Sequence, residues 1–194
     1  MNAKDTRDSL ILTGLLGFLA WLTLTQSGQN VTNTTINTVE NAIMNLSNNG
    51  VNAIKQFESF SARPYSDAQG MSIGYGHFIV PGDGFSANST ITEIDAAALL
   101  LKDAQPVVQA INDYLSVTLN QNQFDALCSF IYNTGINAFE DANNTLIDLL
   151  NAGDFQGATA KMALYVHYHD ANGNLRVSPA LVKRRTAEIN LFNA

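Results

Sequence analysis

Two carboxylates and a hydroxyl, Glu58, Asp67 and Ser72, are the side chains of this 194-residue sequence that are best placed to do chemistry. Glu58 follows Val51 and Ile54 at helical spacing, which predicts that its carboxylate lies on the buried face of a helix. Apolar surroundings disfavour the charged form of a carboxyl, and this suits a general acid. The alternative is an ordinary glutamate at a helix end that faces solvent.

Asp67 lies nine positions after Glu58, in a turn that runs from residue 66 to residue 70. Aspartate is common in turns, so its position alone does not assign it a role. If the two carboxylates face each other across a cleft, they have what glycoside hydrolysis requires. One carboxyl protonates the leaving oxygen, and the other activates a water molecule.

Ser72 shares one face of a predicted strand with Gly74 and Gly76, and this small face leaves room for a substrate. Its hydroxyl could help to hold the attacking water. The alternative, an ordinary strand serine that faces solvent, stays open on spacing alone. A serine nucleophile fits poorly, because the sequence has no G-x-S-x-G motif.

The elements that must position these side chains are a leading helix, a small hairpin over residues 63–78 and a series of later helices. Ser47 is the predicted N-cap of the leading helix, and residues 90–93 read as a capping box with Ile94 on the buried face of the next helix. The predicted fold is therefore α+β, with a small β-sheet subdomain and a larger helical lobe flanking a cleft. An N-terminal hydrophobic helix precedes them.

Residues 10–25 contain no charged side chain, and Lys4 and Arg7 precede them. A helix of this length spans about 24 Å, against roughly 30 Å of bilayer hydrocarbon. The positive charges place the N-terminus in the cytoplasm and the remainder outside. A cleaved signal peptide, a permanent anchor and a releasable anchor all remain open, and a buried core helix is a weaker alternative.

These observations divide the chain into three parts: a signal-anchor or transmembrane segment over 1–25, a polar linker with a short helix over 26–46, and a catalytic domain over 47–194. The anchor places the catalytic domain outside the cytoplasm, with residues 10–25 as its membrane contact.

Charge and composition exclude other classes of partner. The formal net charge of −7 argues against nucleic acid as a partner. His167 and His169 form an H-x-H pair without an obvious third ligand, so no metal site is expected. Asn120 is the predicted cap of a later helix, and Cys128 lies with Phe124 and Leu127 on its apolar stripe, so these three side chains are expected to be buried. The basic residues over 183–185 are expected to be a solvated helix face, with a role beside the cleft as the alternative.

Several blocks of sequence, in order along the chain, resemble the phage-type lysozymes, the endolysin muramidases of glycoside hydrolase family 24. The blocks are residues 50–58 (GVNAIKQFE), 65–77 (YSDAQGMSIGYGH), 123–135 (QFDALCSFIYNTG), 149–154 (LLNAGD) and 181–188 (LVKRRTAE). They are spread along residues 47–194, so the resemblance extends over nearly the whole globular part of the chain.

The resemblance implies that Glu58 is the general acid, that Asp67 and Ser72 position the attacking water, and that no metal or organic cofactor is needed. The implied substrate is the β-1,4 bond between N-acetylmuramic acid and N-acetylglucosamine in peptidoglycan, cleaved with inversion. It also implies action in lysis of a host by a phage, at the host inner membrane facing the periplasm, or in a virion that opens the wall during infection.

The family usually has threonine where Ser72 stands, and more often six positions between the aspartate and this hydroxyl than the five found here. Two alternatives therefore stay open. One is a lytic transglycosylase acting on the same bond, and the other is a catalytically impaired, membrane-anchored virion protein that binds the wall.

Overall fold

A computed structural model describes residues 43–66, 70–140 and 145–194, and the compact unit that they form begins at Met44. The predicted N-terminal hydrophobic helix, nearly all of the linker and Asp67 lie outside the described residues. Residues 43–46 are not helical, and the rest of the predicted short helix also lies outside. Within the described part of the chain, no helix is long and apolar enough to cross a membrane.

A three-stranded sheet follows the first described helix, and helices make up most of what comes after it. The elements, in chain order, are α1 (Asn48–Lys55), β1 (Ser61–Ser66), β2 (Met71–Gly74), β3 (His77–Phe78), α2 (Glu93–Tyr114), α3 (Gln121–Thr134), α4 (Ile136–Glu140), α5 (Leu146–Asn151), α6 (Phe155–Met162), β4 (His167–His169), β5 (Leu175–Val177) and α7 (Pro179–Phe192). The predicted α+β class, with a small sheet and a larger helical lobe, is confirmed.

The sheet is an antiparallel meander in the order β1-β2-β3. Ser72 on β2 pairs with Tyr65 on β1 and with Phe78 on β3, and the register of β1 against β2 is irregular between Ser61 and Tyr65. Residues 75–76 form a tight turn between β2 and β3, so the predicted strand alternation ends at Gly74. Ser72 is therefore on the central strand, whereas Gly76 belongs to a turn.

Helix α1 begins where the sequence predicts. Ser47 is its N-cap, and the Ser47 hydroxyl accepts hydrogen bonds from the backbone N–H groups of Asn49 and Gly50 at 3.1 and 3.2 Å. Asp125 on α3 also fixes this cap, since its carboxylate accepts hydrogen bonds from both the backbone N–H and the hydroxyl of Ser47. The start of α1 is thus fixed to the helical lobe by a buried aspartate.

Helix α2 begins two residues later than predicted. Its N-cap is Thr92, whose hydroxyl accepts from the backbone N–H of Asp95 at 3.2 Å. The buried face also differs from the prediction: Ala96, Leu100 and Ala104 point inward, while Ile94 is largely exposed. The prediction that Ile94 is buried was wrong, because the sheet packs against the small side chains on the opposite face.

Two clusters of buried apolar side chains form the core. The larger lies in the helical lobe and includes Phe124, Leu127 and Cys128 on α3, as the sequence predicted. The smaller joins Val51 and Ile54 of α1 to the sheet turn and α2; its other members are Tyr75, Ala96 and Leu100. Helix α1 therefore packs against the beginning of α2, and α3 packs against α7.

Candidate active site

Glu58 lies in the turn that leads from α1 to the sheet, three residues beyond the end of the helix. The backbone N–H of Glu58 still donates to the carbonyl of Ile54 at 3.1 Å, so the turn continues the direction of the helix. Val51 and Ile54 are buried as predicted. The prediction that Glu58 itself belongs to the helix was wrong, because the chain must turn here to begin β1.

The expected apolar setting of Glu58 is also wrong, because Arg184 of α7 lies against it. The guanidinium Nη1 donates to Glu58 Oε1 at 2.6 Å. The Glu58 side chain is 25% exposed and the Arg184 side chain only 5%. Phe57 supplies the apolar part of the surroundings, with its ring 5.4 Å below the Arg184 guanidinium.

Arg184 belongs to a buried group of charged side chains. Its Nε donates to Glu188 Oε1 at 3.0 Å, and its Nη2 donates to the carbonyl of Ser129 at 3.1 Å. Arg185 Nε lies 2.9 Å from Glu188 Oε2. The predicted solvated face is therefore wrong for Arg184 and Arg185, which are both buried, and correct for the exposed Lys183.

Burial shifts the ionisation of this group in opposite directions for its acid and its base. It raises the pKa of the Glu188 carboxyl, although Arg185, the Ser129 hydroxyl and Arg184 each pull it down. It lowers the pKa of the Arg185 guanidinium, which the Glu188 charge partly restores. The two charged forms therefore depend on each other.

The structure brings Glu58 to the hairpin that carries Ser72. A Cβ added to Gly76 would lie 4.0 Å from Glu58 Oε2, so this side of the carboxylate faces the backbone of the β2–β3 turn. Gly74 and Gly76 both have positive φ angles, of 69° and 89°, which this turn requires. Ser72 is buried on the adjoining strand, so the solvent-facing alternative for Ser72 is wrong.

His77, at the start of β3, ties the sheet to α2. Its Nδ1 lies 2.8 Å from a carboxylate oxygen of Asp103, and its Nε2 lies 3.4 Å from Asp83. A backbone hydrogen bond from Val80, followed by His77, lowers the pKa of Asp83. Because both ring nitrogens face carboxylates, His77 holds the sheet in place and does not point at Glu58.

The remaining sequence candidates behave as structural residues. His167 and His169 are exposed on β4, which pairs with β5, and Cys128 is fully buried. Among the residues that the structure describes, no group of histidine, cysteine and acidic side chains could hold a metal ion. An open groove of about 450 Å³ lies between α1 and α7, bordered by Phe57 and Glu188, and it contains neither Glu58 nor Ser72.

Sequence reasoning left the contact between Arg184 and Glu58 open and missed the buried position of Glu188. The available signal was the spacing on α7, where Glu188 follows the two arginines by four and three residues. This spacing is equally common on exposed helix faces, so it could not show that the group is buried.

A glutamate beside a glycine-rich hairpin, under a helical lobe, is the arrangement of a lysozyme-like glycoside hydrolase. Residues 55–188 match the family model for phage lysozyme. The chain belongs to the phage lysozyme family and is a muramidase that lyses peptidoglycan.

Relatives of known name agree with this assignment. The chain is 35% identical to the endolysin of Acyrthosiphon pisum secondary endosymbiont phage 1, over 78% of this chain and 99% of that protein. It is 34% identical to the SAR-endolysin of Escherichia phage Mu, over 70% of this chain and 74% of that protein. Against the endolysins of Bacillus phages B103 and PZA, it spans only about half of the relative's length.

A solved structure shares the fold. The muramidase domain of SpmX from Asticaccaulis excentricus superimposes with a TM-score of 0.69 at 35% identity, covering 77% of this chain and 97% of that domain. The predicted lysozyme-like fold is thereby confirmed.

Proposed function

We propose that this muramidase hydrolyses the β-1,4 bond between N-acetylmuramic acid and N-acetylglucosamine, with Glu58 as the general acid. The placement of Glu58 carries the proposal. The carboxylate is 25% exposed, it is held by Arg184 on one side, and it faces the backbone of the Gly76 turn on the other. A sugar that enters beside the hairpin would meet this carboxyl without passing a bulky side chain at residue 76.

In the proposed reaction, the Glu58 carboxyl donates its proton to the glycosidic oxygen as the bond from that oxygen to the anomeric carbon breaks. A water molecule attacks the anomeric carbon from the opposite face, and the Asp67 carboxylate accepts a proton from it. The products are a reducing-end sugar of inverted configuration and a free hydroxyl on the leaving sugar. Asp67 then releases its proton to solvent and Glu58 takes one from solvent, so both carboxyl groups are ready for the next cycle.

Ser72 is the proposed second ligand of the attacking water, together with Asp67. Support comes from its burial on β2, in the hairpin that Glu58 faces. A serine retains the hydroxyl of the more usual threonine but loses the methyl group that restricts its χ1 angle. We therefore expect Ser72→Thr to retain activity and Ser72→Ala to lose most of it.

The decisive experiment compares the full chain with Glu58→Gln on purified peptidoglycan, by loss of turbidity and by product mass. Glu140→Gln is the matched control, because Glu140 is an exposed carboxylate at the end of α4. We expect clearing by the parent and by Glu140→Gln only, with reducing-end products that have gained the mass of water.

Two other outcomes would replace the proposal. Products with an anhydro-sugar end would identify a lytic transglycosylase, which needs no second carboxylate. Binding to peptidoglycan without clearing, by parent and variants alike, would identify a catalytically impaired wall-binding virion protein.

We also propose a cellular location for the chain. Residues 10–25 would anchor the chain in the host inner membrane, with residues 47–194 facing the periplasm. Support comes from sixteen uncharged residues preceded by Lys4 and Arg7, and from similarity to proteins named SAR-endolysin in Bacteriophage PS119 and Escherichia phage Mu. The chain would act in host lysis or, in a virion, in opening the wall during infection.

Membrane fractionation of cells that express the full chain tests the proposed location in the membrane. We expect the parent and Leu16→Ala in the alkali-washed membrane fraction, and Leu16→Lys in the soluble fraction, because a charge at the centre of a marginal span opposes insertion. An equal distribution of all three proteins would contradict the anchor. Mass spectrometry of purified virions would show whether the chain is a virion component, and so distinguish action during infection from action in host lysis.

A further inference from the structure

Arg184 is shared between two carboxylates of different exposure. Its Nη1 contacts Glu58 at 2.6 Å and its Nε contacts Glu188 at 3.0 Å. The Glu188 side chain is 1% exposed, and it also accepts a hydrogen bond from the Ser129 hydroxyl at 2.8 Å. Every nitrogen of the Arg184 guanidinium is engaged, the third by the carbonyl of Ser129. The orientation of Arg184 is therefore fixed from behind.

This arrangement bears directly on a general acid. An arginine that contacts only Glu58 would stabilise the carboxylate and oppose the proton that the proposed reaction needs. The negative charge of Glu188, on the far side of the same guanidinium, offsets the positive charge that Glu58 experiences. Interactions between charges in such a poorly solvated place are stronger than they are at the surface.

We propose, on the basis of the role assigned to Glu58 above, that Glu188 is a positioning residue that holds Arg184 against Glu58 and opposes the positive charge of Arg184 there. Arg185 sets the strength of this effect, since it contacts the other oxygen of Glu188. Glu188 contacts Ser129, Arg184 and Arg185, and in this proposal it acts on Glu58 through Arg184.

Among the residues that the structure describes, few ionisable groups face the buried charged group of Arg184, Arg185 and Glu188 from the elements packed against it. Tyr132 on α3 interacts with both Glu58 and Arg184, and burial raises its pKa far enough that it stays neutral in the working range. The charges of Asp103 and Tyr65 also raise the pKa of Tyr132. Asn133 on α3 is uncharged and accepts from Arg185 at 2.8 Å. Glu188 is therefore the carboxylate best placed to oppose Arg184.

The test is the pH dependence of kcat/KM on soluble peptidoglycan fragments for the full chain. Glu188→Gln keeps the size of the side chain and removes its charge. We expect the basic limb of its profile to move down by about one pH unit, because the charge of Arg184 is no longer opposed. Glu188→Asp keeps the charge but withdraws it from Arg184, so the same limb should move down by a smaller amount.

Thr159→Ala is the matched control, because it removes a buried hydroxyl that donates to the carbonyl of Phe155, is not bonded to Glu188 and carries no charge. It should lower the unfolding midpoint and leave the basic limb in place. A basic limb that stays unmoved in a folded Glu188→Gln protein would overturn the proposal. If circular dichroism shows that Glu188→Gln is unfolded, Glu188→Asp decides: a limb that stays or moves up overturns it.

The failure of this proposal is distinguishable from failure of the proposed function. An active parent, an inactive Glu58→Gln and unmoved limbs would retain Glu58 as the acid and remove the role of Glu188. Activity that survives in Glu58→Gln would instead remove the role of Glu58.

Discussion

Two ion pairs, Lys55–Glu93 and Glu58–Arg184, flank the end of α1, and they differ in how deeply the partner from outside α1 is buried. Lys55 Nζ contacts Glu93 at 3.1 Å on the sheet side, and the Glu93 side chain is 62% exposed. Glu58 contacts Arg184 at 2.6 Å on the side of the helical lobe, where Arg184 is almost fully buried. Lys55 and Glu58 themselves are similarly exposed, so the surroundings of the partner make the difference.

The comparison shows how burial changes what an ion pair does. An exposed pair exchanges one set of water contacts for another and contributes little to stability. A buried pair has given up its water, so each charge depends on its partner and removal of one leaves the other unsatisfied. The sheet-side pair is therefore dispensable, whereas the pair on the lobe side controls both stability and the proposed chemistry.

Removal of Arg184 should produce the largest effect. Arg184→Met leaves the carboxylate of Glu188 buried with only Arg185 and Ser129, and leaves Glu58 without its ion pair. We expect a loss of about 3–5 kcal/mol in the free energy of unfolding, measured by urea denaturation. Lys183→Met is the control, since Lys183 is the exposed neighbour on α7. Similar losses in Arg184→Met and Lys183→Met would show that the burial of Arg184 does not increase its contribution to stability.

The turn that carries Tyr75 should come next. Tyr75 donates from its hydroxyl to Glu93 at 2.6 Å, so the sheet-side cluster depends on the backbone that places it. Gly74→Ala forces a side chain into φ +69° and a Cβ to 3.0 Å from that of Ala96, at an expected cost of about 2 kcal/mol. Gly173→Ala, at φ +78° with open space around it, should cost less in the same urea experiment.

The contributions of Glu188 and Glu93 to the stability of the fold should change with pH in opposite directions. Burial raises the pKa of Glu188, so its contribution to stability is complete below its ordinary value of 4.5 and is lost as pH rises through the raised value. The hydrogen bond from Tyr75, followed by Lys55, lowers the pKa of Glu93, whose contribution is present above 4.5 and lost as pH falls.

Urea midpoints measured across this range check the signs. Relative to Glu188→Gln, the parent should lose stability as pH rises above 4.5. Relative to Glu93→Gln, it should gain stability as pH rises toward 4.5. Slopes of the same sign in both comparisons would contradict this assignment.

The smallest effect is expected from the sheet-side pair itself. Lys55→Met removes the ammonium group, whose pKa the Tyr75 hydroxyl and then Glu93 hold above its usual value. Because both partners are solvated, the change in unfolding midpoint should be slight, and about 1 M salt should abolish it by screening. A loss that persists in high salt would show that the cluster is less solvated than its exposure suggests.

Much of the fold was predictable because it depends on local pattern. Ser47 and Asn120 cap α1 and α3 as the sequence predicts, and the apolar spacing on α3 correctly gives Phe124, Leu127 and Cys128 as buried. The start of α2 was placed two residues early, because Thr90 and Thr92 both have residues suited to a cap three positions later. Local pattern cannot choose between two such caps, and packing of Ala96 against the sheet does.

The candidate site was predictable only in part, for a physical reason. The types and order of Glu58 and Ser72 follow from the sequence and its resemblance to a family, and the roles of Glu58, Asp67 and Ser72 remain proposals. The surroundings of Glu58 did not follow, because Arg184 lies 126 positions later in the chain. Apolar neighbours in sequence suggested a hydrophobic setting, and a distant arginine replaced it.

The sequence by itself determined the caps of α1 and α3 and the order of blocks that places the chain in its family. These features arise from interactions among residues close together in the chain, where residue type limits the backbone directly. Only the tertiary structure decided that two arginines and a glutamate on α7 are buried behind Glu58. Burial depends on which helix packs against which, and a solvated and a buried charge have the same sequence signature.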